Sequence, residues 1–150
     1  MTSMTASKNA AIVDCVTANP TADQDYRVQA RGRPERDPVE TARRILRRKH
    51  FGNRMRELRN GASLTLAQAA NLAGVTSPRK LSQYETTCYP PGEVIVGLAP
   101  HYGVSEKDLA GLVLAHSDPD LFKALTGNAG YEPSRADIAA FINASADGSA

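Results

Sequence analysis

A chain of 150 residues, 41% apolar and 23% charged with no Trp, has room for one modest core and tails. Its longest apolar stretches, Val94 to Leu98 and Leu109 to Ala115, fall far short of the roughly 20 residues a membrane span needs, and Asp14 interrupts the one apolar patch of an N-terminus that lacks a basic leader. Neither a membrane partner nor export is expected, so the cytoplasm is the expected location, with Cys15 and Cys88 as reduced thiols outside any metal-spaced pair.

Residues 1–36 are low in large apolar residues and carry no sustained period, so a largely disordered arm is expected. The net charge of +2 hides an asymmetry: Arg27 to Arg59 holds twelve basic and four acidic residues, and the remainder of the chain is correspondingly acidic. Within that block Arg31-Gly32-Arg33-Pro34 resembles the core of an AT-hook, which implies that Arg31 and Arg33 lie in a narrow minor groove. Glu35 departs from the hook pattern, and a plain basic linker is the alternative.

Asp37-Pro38-Val39-Glu40 is a capping arrangement that opens a basic helix over 37–50. Val39, Ala42, Ile45 and Leu46 make its apolar stripe; Arg43, Arg44, Arg47 and Arg48 lie opposite, as candidate phosphate contacts. In the next helix Phe51, Met55 and Leu58 repeat at helical spacing, and Asn60-Gly61 is the expected stop. Whether the two are continuous through Gly52 stays open.

The densest pattern follows. Leu66, Ala69, Ala70 and Ala73 fall on one helical face, Gly74 stops that helix, and Ser77-Pro78 starts another as N-cap and N1. Leu81 and Tyr84 or Glu85 then face inward, with Arg79, Ser82, Gln83 and Thr86 outward. Beyond Pro90-Pro91, Val94, Ile95, Leu98 and Tyr102 form a stripe that Pro100 should kink or end. Ser105 and Asp108 cap a further helix carrying Leu109, Leu112 and Val113.

Gly74-Val75-Thr76-Ser77-Pro78-Arg79-Lys80-Leu81-Ser82-Gln83-Tyr84-Glu85, with Phe51 to Arg59 upstream and Pro90 to Leu109 downstream, resembles the helix-turn-helix of Cro/CI-type (XRE family) regulators. The resemblance implies an all-α fold, a five-helix domain over 51–115 between a basic N-terminal helix and short C-terminal helices. It also implies a function: a sequence-specific DNA-binding transcriptional regulator, a repressor, that reads the major groove of double-stranded DNA with residues 78–86. Ser77, Arg79 and Gln83 become the base readers, because Arg can bond guanine and Gln adenine through two atoms. Thr65, Gln68, Lys80, Ser82 and Arg54 join the phosphate contacts. Arg59 and Glu85 are implied as a structural ion pair. Three features depart from the family pattern: Leu66 where a Gln is frequent, Thr86 to Tyr89 where a Gly and a basic residue are usual, and one extra residue between Gly74 and Leu81.

Residues 116–150 offer two short helices, one opened by Asp118-Pro119 and closed by Thr126-Gly127, the other capped by Ser134 and Asp137, before a small-residue tail. Neither is stable alone, so they either dimerise, which implies a homodimer reading two half-sites, or dock back on the domain. No catalytic constellation, cofactor loop or metal spacing is present; His50, His101 and His116 are isolated in sequence and read as surface or partly packed rings, so no enzyme and no cofactor is expected. Two other functions fit the same residues. One is an antitoxin-like or adaptor protein that grips a protein partner with its C-terminal helices; the other is a sequence-tolerant nucleoid-associated protein served by the basic arm.

Overall fold

The computed structural model describes residues 36–148, and these form an all-α fold with a helix-turn-helix at its centre. Cys15, Arg31 and Arg33 lie outside the described residues.

Helix α1 (Pro38–Gly61) starts where Asp37 Oδ1 accepts the Val39 N–H at 3.0 Å, with Pro38 in the first turn. It runs unbroken for 24 residues, so the joint left open at Gly52 is continuous helix and residues 50 and 51 share one element. The glycine at this point serves a close crossing. Gly52 is buried, and a Cβ there would lie 2.1 Å from the Glu85 carbonyl oxygen, so only glycine lets the two backbones approach. Ala42, Phe51 and Met55 are the buried side of α1. The expected apolar stripe is only partly right: Val39 and Ile45 are 41% and 42% exposed, because the face that packs turns on Ala42 and then on Phe51 and Met55. The helix closes in a Schellman turn, with Ser63 N–H to Asn60 O at 2.9 Å and Leu64 N–H to Arg59 O at 3.1 Å. Its left-handed residue is Ser63, φ 57°, two positions beyond the expected Gly61.

Helix α2 (Leu66–Leu72) opens with a reciprocal capping box between Thr65 and Gln68. It ends in the same Schellman pattern as α1, Val75 N–H to Ala70 O at 2.8 Å, but here a glycine, Gly74 at φ 68°, takes the left-handed position. Helix α3 (Pro78–Tyr84) follows, packed against α2 through the buried Leu81 and Tyr84. Helix α4 (Gly92–Leu98) stops just before Pro100, as the missing N–H there dictates. Helix α5 (Glu106–Ser117) is capped by Ser105, whose Oγ accepts the Asp108 N–H at 3.0 Å. Among the described residues Phe51, Met55, Leu81, Leu98 and Leu109 are the largest fully buried side chains, and with Ala69 and Ala70 of α2 they hold these five helices on one core.

Helices α6 (Pro119–Thr126) and α7 (Arg135–Asp147) dock in cis, α6 on α5 and α7 on α1. Phe122 comes close to α5 at Gly111, and Tyr131 N–H reaches the Ala115 carbonyl at 3.0 Å. Gly130 makes that return possible: a Cβ there would sit 2.6 Å from Pro119 and 2.8 Å from the Ala115 oxygen.

Candidate nucleic-acid interface

Helix α3 owes its start to side chains that are also candidate readers. Ser77 Oγ accepts the Lys80 N–H at 3.3 Å, so its lone pair caps the helix while its own O–H stays a donor. Arg79, Lys80 and Gln83 are exposed; Ser82 is half-buried. At the start of α2, Thr65 and Gln68 are exposed and occupied in the capping box through Thr65 Oγ1 and Gln68 Oε1, which leaves the Gln68 amide NH₂ as the group available to an anion.

The far end of α3 is held by α1. Arg48 Nη2 donates to the Tyr84 carbonyl at 2.7 Å, an acceptor of the kind a helix leaves open at its C-terminus, and more distantly, at 3.3 Å, to the Gln83 carbonyl, which places a cation where the helix dipole is negative. Its guanidinium lies 5.2 Å from the Phe51 ring centre and 5.0 Å from that of Tyr89. Burial pulls the Arg48 pKa below its ordinary value, and burial pushes the Tyr89 phenol up.

The turn after α3 is made without glycine. Thr86, Thr87 and Cys88 all donate their N–H to the Gln83 carbonyl, at 3.2, 2.8 and 2.9 Å, and Thr86 Oγ1 caps the Ser82 carbonyl at 2.8 Å. Threonine hydroxyls thus do locally what a left-handed glycine does in the α2 turn. Cys88 is an exposed residue of this loop.

Beside it, Arg59 Nε donates to Glu85 Oε1 at 2.7 Å and Nη2 to Glu85 Oε2 at 3.2 Å, while Nη1 reaches the Leu64 carbonyl at 2.9 Å. The Glu85 side chain is 3% exposed, and Arg56 approaches it at 3.7 Å. The hydrogen bond from Arg59 to Glu85 holds the guanidinium pKa above its ordinary value, and burial together with the nearby Glu85 charge pushes the Tyr102 phenol up to about 12. This arrangement ties the end of α1, the α1–α2 turn and the last turn of α3 into one rigid corner.

The other arginines of α1 are distributed differently from one another. Arg43 and Arg47 both pair with Glu132, in the connection between α6 and α7, and Arg43 also bonds Glu40 at 2.9 Å. Arg54 pairs with Glu57, and Arg44 is exposed. Of the four expected to share an outward face, Arg43, Arg47 and Arg48 therefore have acceptors inside the fold.

Residues 50–112 match the model of a known protein family, described as a helix-turn-helix domain. This segment is a helix-turn-helix domain. It takes in α2 and α3, the second half of α1, α4 and most of α5, and it points to a DNA-binding regulator. No curated protein and no solved structure matches the chain. Among the described residues no helix is long and apolar enough to cross a membrane, and no group of His, Cys, Asp and Glu is placed to hold a metal ion.

One cluster in and beside the helix-turn-helix domain escaped the sequence. Two of the three histidines that read as isolated are not: His50 Nδ1 and the buried His116 Nε2 lie 2.8 Å apart, and Tyr131 stacks on His50 with ring centres 3.9 Å apart. Since His116 Nδ1 faces the Leu112 carbonyl at 2.8 Å, it is the protonated nitrogen, and Nε2 accepts from His50. Burial, with smaller contributions from His50, Arg47 and Arg54, lowers the His116 pKa. Residues 66 positions apart in sequence carry no local signal of such a pair.

Proposed function

We propose that the protein is a sequence-specific transcriptional regulator of the Cro/CI type, a repressor that inserts α3 into the major groove. The observation that carries this reading is the contrast across α3: Arg79, Lys80 and Gln83 are exposed on a short helix whose last turn is held at Glu85, Tyr84 and Gln83 by Arg59 and Arg48. A reader needs side chains that are free and a backbone that is not, because base discrimination depends on placing a two-pronged donor within a fraction of an ångström.

In this reading Arg79 and Gln83, with the Ser77 O–H, contact base edges, and Thr65, Gln68, Lys80, Ser82, Arg44 and Arg54 contact phosphates. Arg43, Arg47 and Arg48 serve the fold first. The arm with Arg31 and Arg33 adds sequence-tolerant affinity. One recognition helix spans few base pairs, so two copies read two half-sites. Leu121 and Leu125, 45% and 69% exposed and four residues apart on α6, are the apolar pair on which a second copy is expected to close.

The test is selection from random duplex DNA by the purified chain at physiological salt, beside Arg79→Ala. A two-fold symmetric motif that loses one position in the variant is the expected result. Recovery without any motif, unchanged by the substitution, would sink base readout and leave a sequence-tolerant coating protein if binding is tight.

A further inference from the structure

An open groove of about 650 Å³ lies between α1 and the loop that follows α3, a volume in the range of small-molecule sites. Its walls combine two chemistries. Ile45, 42% exposed although large and aliphatic, and the half-buried Tyr89 ring supply apolar surface. Arg44, Lys49 and Arg56, all exposed, supply positive charge, with Arg48 behind them partly withdrawn from water. The carboxylate on the wall, Glu85, is already held through both oxygens by Arg59 and approached by Arg56. Arg48 has carbonyls and aromatic rings around it and, among the described residues, no carboxylate partner. A groove with this excess of cations draws an anion, and one with Ile45 open to water draws hydrocarbon.

We propose that this groove binds a small amphipathic organic anion, a carboxylate on an aromatic or medium-chain aliphatic body, with Arg44, Lys49 and Arg56 attracting the carboxylate and Ile45 and Tyr89 covering the body. A phosphate of duplex DNA answers the charge and brings no apolar group for Ile45; a neutral apolar molecule answers Ile45 and leaves the cations unmatched. Only a molecule with both parts uses the whole wall. Arg48 gives the occupant a consequence. The same guanidinium that lines the groove holds the Tyr84 and Gln83 carbonyls, so occupancy is felt at the C-terminal end of α3. The binding itself does not depend on the DNA-binding reading.

The experiment is calorimetric titration of the full chain, without DNA, by octanoate, 1-octanol, acetate and inorganic phosphate, joined to amide chemical shifts. Octanoate is expected to bind once and saturate, each of the other three binding at least about tenfold more weakly, and to move the amides of Tyr84 to Thr87. Ile45→Asn and Lys49→Gln are each expected to weaken octanoate about tenfold, Lys49→Gln with the urea midpoint in place and Ile45→Asn with the chain still folded at a slightly lower midpoint. Octanoate that does not saturate, or that leaves these amides unmoved, overturns the proposal. Acetate or phosphate binding as tightly as octanoate also overturns it, by reducing the groove to a patch of charge suited to a nucleic-acid backbone.

Discussion

Arg48 and Arg79 carry the same guanidinium group at opposite ends of α3. Arg48 comes from another helix and meets the carbonyls of the last turn, where the backbone offers acceptors and the helix dipole is negative. Arg79 lies in the first turn, where the backbone offers donors and a cation gains nothing from the helix, so its charge stays available to a ligand from outside. Basic residues around a helix-turn-helix are therefore not one set. They divide according to whether the fold brings an acceptor to them, and each division can be tested.

The largest effect is expected where the fold holds a charge most tightly. Glu85→Ala removes the buried partner of Arg59 and leaves that cation without its carboxylate, so urea unfolding should show a loss of about 3–5 kcal/mol. A loss under about 1 kcal/mol would mean that the corner formed by α1 and α3 is not held by this pair.

Arg79→Ala is expected to do the reverse, leaving the urea midpoint unchanged and weakening the selected DNA by about 1–3 kcal/mol, with little effect on unrelated duplex. Lys80→Ala should weaken all duplexes alike and flatten the salt dependence by about one unit. If Arg48→Met lowered DNA affinity only in proportion to the folded fraction, Arg48 would be confirmed as a support and not a contact.

Smaller again is the response to pH where His50 of α1 meets His116 of α5. The folded His116 pKa lies below its unfolded value of about 6.5, so the folded state binds fewer protons and its advantage is present above that pH and declines as pH falls through it. One proton limits the slope to about 1.4 kcal/mol per pH unit. Urea midpoints between pH 7.5 and 5 should trace this decline, and His116→Phe should flatten it.

The smallest effect touches neither set of arginines. Ser63→Gly relieves a left-handed serine in the α1 Schellman turn and should raise stability by about 1 kcal/mol, bringing that turn to the state Gly74 already gives the α2 turn. Thermal melts that show no gain would place some compensating contact at the Ser63 side chain.

Much of the fold was legible because its signals are short-range. Asp37-Pro38, Ser77-Pro78, Ser105 with Asp108, Asp118-Pro119 and Ser134 with Asp137 each start a helix within three residues of themselves, and Gly74 and Gly127 adopt the left-handed backbone their positions required. The stop of α1 misled by two positions because a serine occupies a site where glycine is the usual signal. The turn after α3 hid for a similar reason, since threonine hydroxyls replaced the glycine the pattern leads one to seek.

By itself the sequence determined where the helices begin, that a helix-turn-helix lies at their centre, and which side chains of α3 are polar. Those follow from caps, periodicity and turn chemistry, interactions between residues a few positions apart. Only the tertiary structure decided that α1 runs through Gly52, that Arg43 and Arg47 meet Glu132, that Arg48 closes α3, that His50 meets His116, and that the C-terminal helices fold back. Apart from the docking of α6 on its neighbour α5, each of these joins residues more than thirty positions apart or depends on how closely two backbones cross. A side chain's charge is written in its own residue; whether that charge is satisfied depends on a neighbour that only folding supplies.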